Sequence, residues 1–281
     1  MQRVAFVTDS GADLPADLQA SLKVSVVPLL VYFGDEELRA TDLAPEAFWA
    51  RLTAPGAPLP RTAACSPADF HAAFQQRFDA GAEAIVCVTV GGKLSATLKS
   101  AQIAAQQLAP REIHVIDSES ASMGEGLLLQ VAAALQEADE PPAVIAERTA
   151  ARRADLGFFV ALETLEYLRR GGRISAAQAA IGSVLAVKPI ITITDGEVTT
   201  ADRVRTHRKA RERLLELITA RPLDRVAVLH AETPDIETFR AEIIARSGLP
   251  PERVSLAVIG PTIGPHVGPG AYGAVCLYRT A

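Results

Sequence analysis

Sulfur and aromatic side chains are scarce in this chain: three cysteines, one tryptophan and 5% aromatic residues in 281. Cys65, Cys87 and Cys276 form no CxxC pair, and Cys87 and Cys276 sit in apolar, strand-like segments, where they read as small core residues. That excludes a disulfide scaffold and leads us to expect a cytoplasmic protein. Basic charge is in deficit, with 28 Lys and Arg against 33 Asp and Glu and a net charge of −5, which argues against general nucleic-acid binding. No apolar run is long enough to span a bilayer. The segment Val4-Ala5-Phe6-Val7 turns at Thr8-Asp9-Ser10, too soon for the apolar core of a signal peptide.

The familiar catalytic patterns are missing as well. No GxSxG surrounds any serine, and no GxGxxG follows the first strand. Gly92-Lys93 is followed by Leu94 and lacks the upstream glycine of a phosphate-binding loop. His71, His114, His207 and His230 are scattered singly, without metal-ligand spacing. A metal or nucleotide enzyme is disfavoured, and neither metal nor cofactor is expected.

What is present is ordinary globular composition, 49% hydrophobic and 22% charged, with strand and helix patterns in alternation. Val4 to Val7 reads as a buried strand, 15–22 as a short helix and 24–33 as strand. Thr41 reads as a possible cap of the helix starting near Pro45. Ser66-Pro67 suits a helix start, and Phe70, Phe74 and Phe78 then recur at helical spacing as a core stripe. Strands at 84–90 and 113–116 alternate with helices to about Leu108 and at 123–135, the signature of a parallel sheet covered by helices. Glu140-Pro141-Pro142 marks a break, followed by a helix to about Ala154. Beyond it come a strand at 158–161, helices at 164–170 and 175–185, and two strands flanking Asp195-Gly196, a hairpin signal. A helix at 207–218, a strand at 226–230, a helix at 234–246 and strands at 254–259 and 274–278 complete the chain. The expected fold is α/β in two domains. Residues 1–155 carry a mostly parallel sheet flanked by helices, and residues 156–281 a mixed sheet.

Three features carry chemistry. Strands in the first half run into Thr8-Asp9-Ser10, Gly91-Gly92-Lys93-Leu94-Ser95-Ala96-Thr97 and Asp117-Ser118, and open parallel sheets bind ligands beyond such carboxyl ends. Each serine equally suits a backbone cap or turn. The run Leu165-Glu166-Tyr167-Leu168-Arg169-Arg170-Gly171-Gly172-Arg173-Ile174 reads either as a helix ending at a glycine cap, with arginines at the negative end of the dipole, or as a basic corner for an anion. The segment from Gly260 to Gly273 places one ionisable side chain, His266, among glycines and prolines, which suits a rigidly held imidazole beside a close-fitting group and equally a plain linker.

Taken in order, Thr8-Asp9-Ser10, Thr62 in Pro60-Arg61-Thr62, Leu94-Ser95-Ala96-Thr97, Asp117-Ser118, the run from Tyr167 to Ile174, Lys188-Pro189-Ile190 and the His266 loop resemble the DegV family, the bacterial fatty-acid-binding proteins that serve fatty acid kinase. The resemblance covers nearly the whole chain. It implies a two-domain fold with a buried acyl chain in a tunnel near the domain interface. It implies a carboxylate held by Thr62 and Ser95, with His266 and Arg170 in the surrounding network and Asp9, Ser10, Thr97, Asp117 and Ser118 in support. It further implies a non-catalytic subunit that presents a long-chain fatty acid to a separate ATP-dependent kinase for phospholipid synthesis, docked through Arg173 with Arg203 and Arg205. The chain departs from the family pattern at Ala63 after Thr62, at Ala96 after Ser95 and at Gly91-Gly92. Two other readings stay open: a stand-alone serine hydrolase or acyltransferase with Ser95 activated by His266, and a lipid-sensing regulator.

Overall fold

The structure is a computed structural model that describes residues 3–174 and 187–280. Four segments rich in Val, Ile and Ala, β1 (Val4–Asp9), β2 (Ser25–Val27), β6 (Ala84–Thr89) and β7 (Glu112–Asp117), form a parallel sheet in the order β2-β1-β6-β7. Every residue of β6 is buried, as its continuous apolar run requires of a strand covered on both faces. A three-stranded antiparallel sheet, β3 (Leu30–Phe33), β4 (Glu36–Arg39) and β5 (Arg61–Ala63), sits beside it in the order β4-β3-β5.

The second half forms a six-stranded mixed sheet from β8 (Leu156–Ala161), β9 (Lys188–Thr194), β10 (Glu197–Val204), β11 (Leu223–His230), β12 (Val254–Val258) and β13 (Tyr272–Tyr278), ordered β10-β9-β8-β13-β11-β12. Only the β11–β12 pair in it is parallel. The β9–β10 hairpin turns at Asp195-Gly196, both with positive φ (51° and 76°), as a two-residue turn of this type needs.

The helices are α1 (Ala16–Leu22), α2 (Pro45–Leu52), α3 (Pro67–Asp79), α4 (Thr97–Gln107), α5 (Met123–Glu137), α6 (Pro142–Ala151), α7 (Glu166–Arg170), α8 (His207–Ile218), α9 (Ile236–Ser247) and α10 (Gly264–Val267). α3 opens on a capping box: Ser66 Oγ accepts from Asp69 N at 3.1 Å and Asp69 Oδ2 accepts from Ser66 N at 3.2 Å, with Pro67 at the first helical position. Phe70, Phe74 and Phe78 are buried from it. α5 lies between the sheets, packing on β1 and β6 and on β11 and β13. That position explains why the stretch from Met123 to Leu129 is buried all round.

Three local expectations differ from the structure. The strand-like run 24–33 splits into β2 and β3, in different sheets, around Pro28, which has no N–H to give a ladder. Thr41 does not cap α2; Ala44 precedes Pro45 there, and the Thr41 hydroxyl donates to Asp42 Oδ1. β4 and β5 escape a hydrophobic scan because Glu36-Glu37-Leu38-Arg39 is a polar edge strand. The helix expected at 175–185 lies outside the described residues.

All strands of the first two sheets precede residue 155 and all strands of the third follow it. We place the domain boundary there as a proposal, since the largest apolar cluster draws on both sides, from Phe48, Trp49 and Met123 to Phe158, Ile191 and Val275. Trp49 also ties them directly: its buried Nε1 donates to the Ile259 carbonyl at 2.8 Å. Trp49→Phe leaves that carbonyl unpaired and is expected to lower unfolding stability by about 1–3 kcal/mol. Urea denaturation followed by far-UV circular dichroism measures this, and an unchanged midpoint would show that the tie contributes nothing.

Candidate functional site

A cavity opens where the carboxyl ends of the parallel sheet meet the face of the mixed sheet. Leu29, Val90, Leu94 and Ser95 line it from the loops after β2 and β6, and Thr62 and Ala64 from β5 and just beyond it. Phe158, Ile191, Ile193 and Val198 line it from β8, β9 and β10, with Ala121, Leu168, Arg173, Thr262, Ile263, His266 and Val267 closing the rest. The polar side chains among these are Thr62, Ser95, Arg173, Thr262 and His266; the remainder are aliphatic or Phe.

His266 reaches this cavity from the one-turn helix α10. Gly171 packs so closely on the imidazole that a Cβ there would lie 2.2 Å from His266 Nδ1. The loop turns back at Gly268, φ +74°, where an added Cβ would lie 2.3 Å from the Tyr167 ring. His266 Nε2 and Thr62 Oγ1 are 3.0 Å apart and share a hydrogen bond, while Nδ1 is buried without a partner among the described residues. Burial, reinforced by the positive charge of Arg173, pushes the His266 pKa down to about 4. The imidazole is therefore neutral at pH 7, and an anion entering the cavity would favour its charged form.

Arg173 sits half-buried at the cavity, donating from Nε to the Leu94 carbonyl at 3.1 Å and from Nη1 to the Gly171 carbonyl at 2.5 Å. The expected Arg170 is not there. Its Nε donates to Glu166 at 2.5 Å, Arg169 pairs with the same carboxylate, and both guanidinium groups face solvent. α7 ends in a Schellman turn, with Gly172 at φ +67° and the Arg173 N–H reaching the Leu168 carbonyl at 3.0 Å. That reversal turns Arg173 inward. Of the three arginines expected to dock a partner, Arg203 and Arg205 are exposed and Arg173 belongs to the cavity wall.

The Ser95 hydroxyl lies 2.9 Å from Thr97 Oγ1 and accepts from Thr97 N at 3.2 Å, so it both turns the backbone at the start of α4 and faces the cavity. Its hydrogen-bond partner is Thr97, whereas the hydrolase reading requires His266. Gly92 is forced by fit: an added Cβ would meet Leu98 Cδ2 at 2.6 Å and Asp117 Oδ2 at 2.9 Å. Asp117 supports the loop by accepting from Gly92 N at 3.1 Å. Ser10 accepts from Leu29 N at 2.9 Å and is 2.8 Å from Thr262 Oγ1, a second link to the cavity wall. Ser118 and Asp9 do not reach the cavity. Ser118 donates to the Ser120 carbonyl, and Asp9 accepts from Val90 N and Gly11 N. Of the three strand ends, the one after β6 lines the cavity, through Val90, Leu94 and Ser95.

Sequence reasoning missed two acids beneath the site. Asp13 accepts from Gly260 N at 2.9 Å and from Ser122 Oγ at 2.6 Å, anchoring the start of the His266 loop to the first half. Glu125, buried in α5, accepts from Thr8 Oγ1 at 3.2 Å. A lone acid in the apolar run Met123 to Leu129 is the signal that could have found it. Burial raises Asp13 to about 7, Asp9 to about 6 and Glu125 well above the usual carboxylate range, with Asp9 adding like-charge repulsion to the other two.

An aliphatic cavity lined also by three hydroxyls, a neutral imidazole and a guanidinium defines the class: an α/β protein with a site suited to an amphipathic anion. A family model described as "Uncharacterised protein, DegV family" matches residues 3–279, and the chain belongs to the DegV family. A DegV domain-containing protein of Mycobacterium tuberculosis is 34% identical over 280 residues, 98% of this chain and 96% of that protein. The structure of a DegV family protein from Thermus thermophilus, described as fatty acid binding, is 34% identical, with a TM-score of 0.89 over 99% of this chain and 100% of that one. DegV of Bacillus subtilis, described as a fatty acid binding protein, is 26% identical with a TM-score of 0.86 over 98% and 99% of the two chains.

The raised acids set a pH dependence. Asp9 and Asp13 each hold a proton in the folded state after the unfolded chain has released it, so their contribution is full below about pH 4 and is lost as pH rises through about 6 to 7. Asp13→Asn keeps the acceptor for the Gly260 N–H, reverses the Ser122 hydrogen bond so that the amide donates to the hydroxyl oxygen, and cannot ionise. It is expected to flatten the decline in stability between about pH 4 and 7 by up to about 1.4 kcal/mol per pH unit. Urea midpoints across that range test this, and an unchanged slope would contradict the buried titration.

Proposed function

We propose that this chain binds a long-chain fatty acid and presents its carboxylate to a separate ATP-dependent kinase subunit, which converts it to an acyl phosphate. The carboxylate occupies the polar end of the cavity, taking hydrogen bonds from Thr62, Ser95 and His266, with Arg173 supplying the compensating charge in place of Arg170. The observation that carries this reading is the Thr62–His266–Arg173 cluster at the wall of an otherwise aliphatic cavity. Family membership and the fatty-acid-binding description of the Thermus thermophilus relative support it.

The energetics favour such a ligand. Each buried methylene is worth roughly 0.8 kcal/mol, whereas an unpaired buried carboxylate is costly. Charge-assisted hydrogen bonds offset that cost. In the kinase step, a carboxylate oxygen attacks the γ-phosphorus of ATP, the bond to the β,γ-bridging oxygen breaks, and ADP leaves. The fatty-acid-binding subunit contributes orientation and charge balance, not the nucleotide. The kinase half of the proposal rests on the family resemblance and on the exposed Arg203 and Arg205 beside the cavity-lining hairpin.

Lipid extracted from the purified protein is expected to be long-chain fatty acid at close to one molecule per chain. A protein that carries none and takes up none after delipidation contradicts the proposal. Ser95→Ala is expected to weaken fatty acid binding by roughly tenfold or more, the loss of a charge-assisted hydrogen bond worth about 1.5–3 kcal/mol. A fall in melting temperature with unchanged affinity would reduce Ser95 to a backbone cap. With a cognate kinase, His266→Ala is expected to lower acyl phosphate formation more than it lowers bound lipid. Ester cleavage by the isolated protein that depends on both Ser95 and His266 would instead establish the hydrolase reading.

A further inference from the structure

Thr262 is a buried hydroxyl, 3% exposed, in the cavity wall with Thr62, Ser95, Arg173 and His266. It precedes His266 on one tight turn, closed by the Gly264 N–H on the Gly260 carbonyl at 2.8 Å and by the His266 N–H on the Ile263 carbonyl at 3.0 Å. Two side chains from the first half of the chain fix the start of this turn. Asp13 accepts from Gly260 N, and Ser10 Oγ lies 2.8 Å from Thr262 Oγ1.

Counting protons shows what this contact leaves over. The Ser10 hydroxyl accepts from the Leu29 N–H at 2.9 Å, and its own proton remains to be placed. The Ser10–Thr262 contact uses one of the two hydroxyl protons, and neither oxygen makes a further hydrogen bond among the described residues. If Thr262 donates, the spare proton is on Ser10, which is absent from the cavity wall and borders an outer groove with Asp13 and Pro261. If Ser10 donates, the spare proton is on Thr262, in the cavity wall. An anion in the cavity selects the second direction, because it supplies the acceptor that a buried hydroxyl otherwise lacks there.

We infer that Thr262 donates a hydrogen bond to the carboxylate of the bound acid, with Ser10 as the positioning residue that turns the Thr262 hydroxyl into the cavity. The Leu29 N–H, the Ser10 hydroxyl and the Thr262 hydroxyl then form one chain of donors ending on the ligand, each polarising the next. This rests on the fatty-acid-binding reading above and adds a donor to Thr62, Ser95 and His266. An acyl tail would give this hydroxyl no acceptor, so it is the head group that lies against it.

The test follows the head group itself. Delipidated full-length protein is loaded with carboxyl-labelled palmitic acid, and its affinity and the carbon-13 titration of the bound carboxyl group are measured together. Thr262→Val keeps the shape and removes the donor. It is expected to weaken binding by about tenfold or more and to raise the pH at which the bound carboxyl group ionises. Thr262→Ser restores the hydroxyl and is expected to return both quantities to those of the unsubstituted protein. Ser10→Ala is expected to shift the titration in the same direction as Thr262→Val, by less. A Thr262→Val protein that loads palmitic acid with an unshifted titration overturns the donor role even where its melting temperature falls, since the contact with Ser10 is then only a tether of the loop. A Thr262→Ser protein that behaves as Thr262→Val overturns it equally, and an unshifted titration in Ser10→Ala overturns the positioning role of Ser10. Where circular dichroism shows Thr262→Val unfolded, Thr262→Ala is read in its place. Failure of the unsubstituted protein to load any acid overturns the binding reading, and this inference with it.

Discussion

The contact between Gly171 and the His266 ring is the constraint on which the rest of the site depends. There is no room for a methyl group between them: the Cβ position lies 2.2 Å from Nδ1. The two groups are far apart in sequence, so the fit exists only if the loop from Gly260 and the corner after α7 are each held in place. Asp13 holds the start of the loop through the Gly260 N–H, and Trp49 holds the end of β12 through the Ile259 carbonyl. The ring of Phe48 fills the space over Gly264, leaving none for a larger residue. Thr62, which pairs with the imidazole Nε2, comes from the small antiparallel sheet. Elements from both halves of the chain therefore converge on one side chain.

Electrostatics give the site its resting state. Desolvation holds His266 neutral, and Arg173 opposes a second positive charge beside it. Beneath the site, Asp9, Asp13 and Glu125 are pushed toward their protonated forms by burial. Arg173 is thus the fixed charge at the cavity wall, with its donors engaged by the carbonyls of Leu94 and Gly171. On the proposed function, an incoming carboxylate would meet one cation and an imidazole that becomes a better proton carrier once the anion is present. The site would then gain its favourable charge balance on binding.

Much of the fold was legible in local pattern. The apolar run of β6, the capping box at Ser66, the Asp195-Gly196 hairpin and the Pro141-Pro142 break each have a cause confined to a few residues. The small sheet was not legible, because β4 is polar and β5 has three residues, and both are defined by pairing with β3 rather than by hydrophobicity. For the site, Thr62, Ser95 and His266 were named through the resemblance of the ordered motifs to the DegV family, and the structure brings them to one cavity. The choice between Arg170 and Arg173 could not be read from Arg169-Arg170-Gly171-Gly172-Arg173. It depends on the positive φ at Gly172, which reverses the chain and sends neighbouring arginines in opposite directions. Asp13 was hidden for a different reason: an acid in a turn looks solvated until a distant loop covers it.

The central claim is that an ionised carboxylate sits against His266 and Arg173 at the polar end of the cavity. Nuclear magnetic resonance tests it most directly, by titrating the His266 ring and the carboxyl carbon of bound, carboxyl-labelled palmitic acid together. The account requires the ring to titrate near 4 in the empty protein and at a clearly higher pH when loaded, with the bound carboxyl group remaining ionised below the range of the free acid. A ring whose titration is unchanged by loading, together with a carboxyl group that titrates as it does in water, would place the acid elsewhere and contradict the account.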